Sequence, residues 1–259
     1  MARKIGLALG GGAARGYAHI GVLKILEREH IPVDLIAGTS MGSLVGAYYA
    51  CGFRPSELEE IAIVTKRRHI TSIGFSKKGL FSTRKIAQML SRDIGSRTFQ
   101  DLAIPLSVVA TDILTGEEVV ISAGSVKEAV LASISVAGVF PPREIDGRLL
   151  IDGGYVNQVP VSVVRNMGAD FVIAVDVGFL ARRRDRYNNA VQIAVRAIDI
   201  MAKKLMAKEE ENAEVIIKPD VESESIAGYH KAEFFIEAGA KATEAVIPKI
   251  RDSALLHLK

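Results

Sequence analysis

Leu35-Ile36-Ala37-Gly38-Thr39-Ser40-Met41-Gly42 decides how the chain reads. An apolar run passes straight into Gly-x-Ser-x-Gly, and a small-residue segment with helical character, Ser43 to Ala50, follows. A strand that turns sharply into a helix holds a serine hydroxyl out at the turn, and the N–H after the serine is free to face an oxyanion. Gly38 and Gly42 allow that tight path. The alternative is a plain strand–helix connection with Ser40 as the helix cap.

Upstream, Ile5 to Leu9 reads as a buried strand, followed by Gly10-Gly11-Gly12-Ala13-Ala14-Arg15-Gly16. A helical pattern with Ile20, Leu23, Ile25 and Leu26 as its apolar set comes next, and Pro32 separates it from the Leu35 strand. Strand, glycine loop, helix, strand, serine turn, helix is the order of a parallel sheet with crossover helices. The glycine loop admits three readings. Its spacing is close to a dinucleotide fingerprint but not equal to it, and no Gly-Lys-Ser/Thr follows for a P-loop. The third reading is an oxyanion loop, since backbone N–H groups at a helix start stabilise negative charge. The serine turn one βα unit later favours the third.

Downstream, Pro55 opens a helix over 54–64. Residues 66–97 then carry nine Lys/Arg against one acid, Asp93, with Phe75 and Phe81 interleaved. This stretch reads as a basic cap over the active face, suited to an anionic membrane surface or an acidic partner. Leu106 to Asp112 is a strand, Glu118 to Ile121 its hairpin arm, and Val126 to Ser135 a helix. The strand Arg148 to Ile151 delivers Asp152-Gly153-Gly154; if it joins the parallel sheet, its carboxylate sits where such sheets keep their chemistry. Asp170 to Asp176 and Val215 to Ile217 are further strands, 190–208 reads as an amphipathic helix, and Phe234 to Arg251 as a closing helix bent at Pro248. The part from 180 to 259 is thus helical with one late strand.

The bulk properties narrow the class. The chain of 259 residues is 49% hydrophobic and 24% charged, enough for one large α/β domain over 1–259. A net charge of +3 gives no reason to expect nucleic acid. One cysteine, Cys51, allows no internal disulfide and suits a reducing compartment. With no secretory leader or apolar span visible, the expectation is a cytoplasmic protein, peripheral to the inner face of the membrane at most. No metal-ligand spacing is present, so neither metal nor cofactor is expected.

A serine nucleophile needs a base. Of the five histidines, His230 in Ala227-Gly228-Tyr229-His230 is the best triad partner, while His19 lies inside the first helix. Asp152 is the other candidate: a carboxylate near ~3.9 is a poor base in water but a better one in a dry pocket.

Taken together, these blocks resemble the patatin-like phospholipase family. They are the glycine loop with Arg15, His19 to Leu23, Gly38 to Gly42, Ala137 to Pro142, and Asp152-Gly153-Gly154 with Asn157 and Pro160, in that order over residues 5–165. The resemblance implies a three-layer α/β/α fold with a mainly parallel sheet and a Ser–Asp dyad without histidine. It also implies lipid acyl hydrolase activity on a lipid or acyl ester. By position, Ser40 would be the nucleophile and Asp152 its base. Gly10, Gly11, Gly12 and Met41 would supply oxyanion N–H groups, with Arg15, Gly38, Gly42, Gly153 and Gly154 in support. The family commonly has glycine where Ala13 stands, so the oxyanion loop depends on how Ala13 is accommodated. Two other functions fit the same residues: a regulatory or adaptor protein on this fold, and a nucleotide-binding enzyme using Gly10–Gly16.

Overall fold

A computed structural model describes residues 3–67, 72–76, 79–178, 211–225 and 227–254, with isolated positions at 193, 200, 201 and 204. The helix expected over 190–208 lies almost wholly outside the described residues, as do 68–71 and 77–78 of the basic stretch.

Three apolar runs, β1 (Ile5–Leu9), β2 (Leu35–Thr39) and β9 (Phe171–Val175), form the buried middle of an eight-stranded sheet. The order is β10-β9-β1-β2-β5-β8-β7, where β10 is Val215–Ile217, β5 Leu106–Asp112, β8 Arg148–Asp152 and β7 Arg143–Ile145; β6 (Glu118–Ile121) also pairs with β5. From β10 to β5 every pairing is parallel. A separate hairpin joins β3 (Ser72–Ser76) and β4 (Gly79–Ser82). Side-chain alternation divides the core between the two faces. Leu7, Leu9, Phe171, Ile173 and Val175 face one cluster with the helices α1 (Ala18–Arg28) and α2 (Met41–Ala50). Ala8, Ala37, Val172 and Ala174 face another with α6 (Val161–Asn166). The fold is therefore the expected α/β sheet with helices on both sides.

Two expectations change. First, β8 does join the sheet, but antiparallel to β5, with Ala110 opposite Asp152. The short β7–β8 hairpin, whose turn carries Asp146 at φ 51 and Gly147 at φ 75, reverses the chain and sets that direction. Second, the described part of 66–97 includes a helix, α4 (Arg84–Asp93), that buries Ile86 and Leu90 against the core and packs on α5 (Val126–Ser133). Its exposed face keeps Arg84, Lys85 and Arg92. The remaining helices are α3 (Pro55–Arg67) and α7 (Ala232–Ala254), the latter running through Pro248 and packing along α1. Among the described residues no helix is long and apolar enough to cross a membrane.

The register of β5 positions the site. β6 pairs with residues 108–111 of β5, β2 with 106–109 and β8 with 110–112. Since β6 overlaps both of the others, it must occupy the opposite edge. β2 and β8 therefore share one edge and meet end to end at Val109 and Ala110. Ser40 follows the end of β2, and Asp152 ends β8.

Candidate active site

At that junction Ser40 Oγ donates to Asp152 Oδ2 at 2.6 Å. Ser40 adopts φ 52, ψ −122, a backbone conformation dominated by glycine, which costs about 1–3 kcal/mol in other residues. Its side chain makes no cap bond to α2, so the plain-cap reading fails. The strained turn is held from three sides. Ser40 N–H donates to Ser133 Oγ at 2.8 Å, and that hydroxyl donates onward to Val109 O at 2.6 Å. Ser43 Oγ donates to Ser40 O, and Thr39 Oγ1 to Asn157 O. The two motif glycines let α2 approach the sheet. A Cβ on Gly42 would strike the Leu9 and Gly10 carbonyls, and one on Gly38 would lie 2.6 Å from Ser43 Cα.

Asp152 is 4% exposed. Its Oδ1 accepts Gly154 N–H at 2.8 Å in a tight Asx turn, and this leaves Oδ2 for Ser40. Thr111 Oγ1 holds its carbonyl. Burial pushes its pKa up from 3.8 to about 6, although the Ser40 and Gly154 hydrogen bonds pull the other way. A carboxylate in this state is largely ionised at neutral pH yet more basic than one in water.

The glycine loop departs from its expected role in part. Gly10 N–H donates to Val175 O, which continues the sheet's hydrogen bonding past Leu9, and Gly11 N–H donates to Gln158 O in the following loop, both at 3.0 Å. Neither can meet an oxyanion. Among the described residues the N–H groups of Gly12 and Met41 donate to no partner, each at the start of a helical turn. Ala13 takes φ 47, the left-handed region, so the loop follows a glycine path with alanine in it. Arg15 is fully buried and donates to the carbonyls of Gly178, Glu222 and Glu224, which ties the loop to the C-terminal part.

His19 is also fully buried. Its Nε2 lies 2.7 Å from Gly10 O, which can only accept, so Nε2 carries the proton. Burial lowers its pKa to about 4 and keeps the ring neutral. His230 is exposed, while its neighbour Tyr229 turns inward, edge-on to Tyr17. Neither histidine is bonded to Ser40.

A cavity opens on Ser40 and holds about 890 Å3 of empty space, its mouth included. Its wall is almost wholly apolar; Tyr17, Leu44, Tyr48, Ile86, Phe140 and Tyr229 contribute. Tyr48 donates to Asp93 Oδ2 at 2.8 Å, so its hydroxyl is satisfied at the wall. These aromatics are scattered over the chain, and no local pattern announces them.

Sequence reasoning also missed Gln158 and Ser133. Gln158 grips Gly11 twice: its carbonyl accepts Gly11 N–H, and its Nε2 donates to Gly11 O at 2.7 Å. Its Oε1 is buried without a partner and lies toward Gly154. A polar residue placed between Asn157 and the apolar Val159 was the available signal.

Residues 7–165 match the family model described as patatin-like phospholipase. A patatin-like phospholipase domain-containing protein of Caenorhabditis elegans, ZK370.4, is 40% identical over 187 residues, covering 67% of this chain and 14% of that protein. The uncharacterized NTE family protein Mb1092c of Mycobacterium bovis is 38% identical over 177 residues, covering 67% of this chain and 49% of the relative. This chain therefore spans half or less of the length of these relatives. Among solved structures, VipD from Legionella pneumophila superposes with a TM-score of 0.57 at 13% identity, covering 96% of this chain and 67% of that one, a likeness of fold. On the family match, the chain belongs to the patatin-like phospholipase family.

Proposed function

We propose that this chain is a serine acyl hydrolase that cleaves a lipid-type carboxylic ester through Ser40 and Asp152, without histidine. The observation that carries the reading is the 2.6 Å hydrogen bond from Ser40 Oγ to Asp152 Oδ2 at the head of an apolar cavity. Ser40 Oγ attacks the ester carbonyl while its proton passes to Asp152 Oδ2. The carbonyl oxygen gains negative charge, and Gly12 and Met41 N–H groups are the donors available to it. Asp152 then gives the proton to the leaving alkoxide, and an acyl group remains on Ser40. Water, deprotonated by the same carboxylate, releases the acid and restores the hydroxyl.

The raised pKa of Asp152 suits this double duty, since a base also returns its proton best when its pKa lies near the working pH. The cavity wall suits a hydrocarbon chain, which gains by leaving water. The nucleotide-binding alternative loses support because the Gly10 and Gly11 N–H groups, which would cradle a phosphate, donate to the Val175 and Gln158 carbonyls. We place the reaction in the cytoplasm, in keeping with a chain that has no cysteine pair.

The test is hydrolysis of p-nitrophenyl acyl esters and a lysophospholipid by wild type and Ser40→Ala. Turnover is expected in the wild type and should be lost from the variant. Equal hydrolysis by the two proteins would overturn the reading.

A further inference from the structure

Three side chains that line the Ser40 cavity, Ile61, Ile86 and Met89, also line a second cleft. That cleft runs between α3 and α4. Phe53 and Val64 add apolar surface to its lining, and Glu57, Glu60, Lys85 and Arg92 add charge. Its empty space is about 1630 Å3, larger than that of the cavity holding Ser40. Ile61, Ile86 and Met89 belong to both linings, and one of them is an adaptable methionine. Val64 is a large apolar side chain left 47% exposed on this cleft.

The helices on either side rest on different neighbours. α3 packs on α1 and α7, whereas α4 packs on α5. Ile86 belongs to the main core, whereas Ile61 and Met89 are only partly buried against it, so rotamer changes at those two would open the passage while Ile86 stays packed. An extended hydrocarbon bound at Ser40 meets an apolar wall that includes these three residues, and Phe53 and Val64 extend apolar surface into the second cleft.

We propose that a long saturated acyl chain passes between α3 and α4, with its far end lying in this second cleft. Ile61, Ile86 and Met89 form the gate that it parts. The proposal rests on the acyl hydrolase reading and adds where a long chain goes and which residues set chain-length preference. Short chains end before the gate; long ones gain the burial of their terminal methylenes beyond it.

A hexadecanoyl-length fluorophosphonate with a diazirine at its far end tests this on the wild-type protein. Its phosphonate is expected on Ser40 and its photo-crosslinks on α3 and α4, near Val64 and Gln88. Crosslinks confined to Leu44, Val45 or Tyr48 would overturn the proposal while leaving the hydrolase reading intact. Failure to label Ser40 at all would overturn the hydrolase reading first. Val64→Trp and Gln88→Trp, both on exposed positions of the cleft, give a second readout. Each is expected to lower the hexadecanoyl-to-butanoyl ratio of kcat/KM roughly tenfold, the worth of about two buried methylenes. Ratios within about twofold of wild type in both variants would place the chain end inside the Ser40 cavity and refute the gate.

Discussion

Ser40 and Asp152 reach the same point by opposite routes. Ser40 follows a parallel strand, and its turn rests on two close backbone approaches: Gly38 and Gly42 bring α2 against the sheet, φ 52 aims the hydroxyl, and the Ser133, Ser43 and Thr39 hydroxyls pin it. Asp152 ends an antiparallel strand, and its turn joins one close backbone approach, Gly153 on the Val109 carbonyl, to side-chain contacts: its own Oδ1, Thr111 Oγ1 and the nearby Gln158 amide. The first arm has two backbone approaches that cannot yield and the second has one. The second also depends on side chains that can move, and Asp152 among them changes charge with pH. Damage to the first should appear chiefly as lost stability, and damage to the second chiefly as lost rate.

The largest expected effect falls on the second arm. Asp152→Asn should lower kcat roughly 10³-fold, within the range for removing a general base. The stability of the variant should lack a pH dependence that the wild type has. A buried carboxyl with a raised folded pKa favours the fold while protonated; that contribution is complete below 3.8 and lost as pH rises through about 6. Wild type should therefore lose roughly 3 kcal/mol that the variant does not, between about pH 4 and about pH 8, as denaturant titrations at the two values would reveal. A constant difference would contradict the burial of that charge.

Next in size is the contrast between two glycines. Gly42→Ala places a methyl group against fixed carbonyls and should cost roughly 3 kcal/mol in denaturant unfolding. Gly154→Ala meets the end of the Gln158 side chain, which can shift. It should cost about 1 kcal/mol or less, but lower kcat more than Gly42→Ala does per unit of lost stability. Equal partition between rate and stability would erase the distinction between the arms.

Smaller again is Gln158→Ala, which releases Gly11 O. A buried hydrogen bond of about 1–1.5 kcal/mol translates into roughly tenfold in kcat, with KM little changed, if the loop serves the transition state. A change in KM alone would assign Gln158 to substrate binding. Smallest is Ala13→Gly. Relief of the left-handed strain should raise stability by about 0.5–1 kcal/mol with turnover retained.

The first arm was legible in the sequence and the second only in outline. An apolar run ending in Gly-x-Ser-x-Gly carries its own strand, turn and helix, and the parallel strands around it read as unbroken apolar stretches. Asp152-Gly153-Gly154 marked a turn and the family resemblance named its residue. The strand's direction, however, is set by a three-residue hairpin partner too short to read. Ile86 and Leu90 recur at helical spacing within the basic stretch, but the density of charge around them drew the reading toward a cap. The donors of Gly10 and Gly11 could not be assigned from sequence, because whether a strand's hydrogen bonding ends at Leu9 or two residues later depends on Val175 and Gln158, far along the chain.

The central claim is that the Asp152 carboxylate, and no histidine, activates Ser40. The rate of covalent labelling of Ser40 by a small fluorophosphonate, followed across pH in wild type, Asp152→Asn and His230→Ala, tests it most directly. Wild type and His230→Ala are expected to label alike, with a rate that rises through an apparent pKa of about 6, and Asp152→Asn to label slowly at every pH. Labelling of Asp152→Asn at the wild-type rate, or its loss in His230→Ala, would contradict the account.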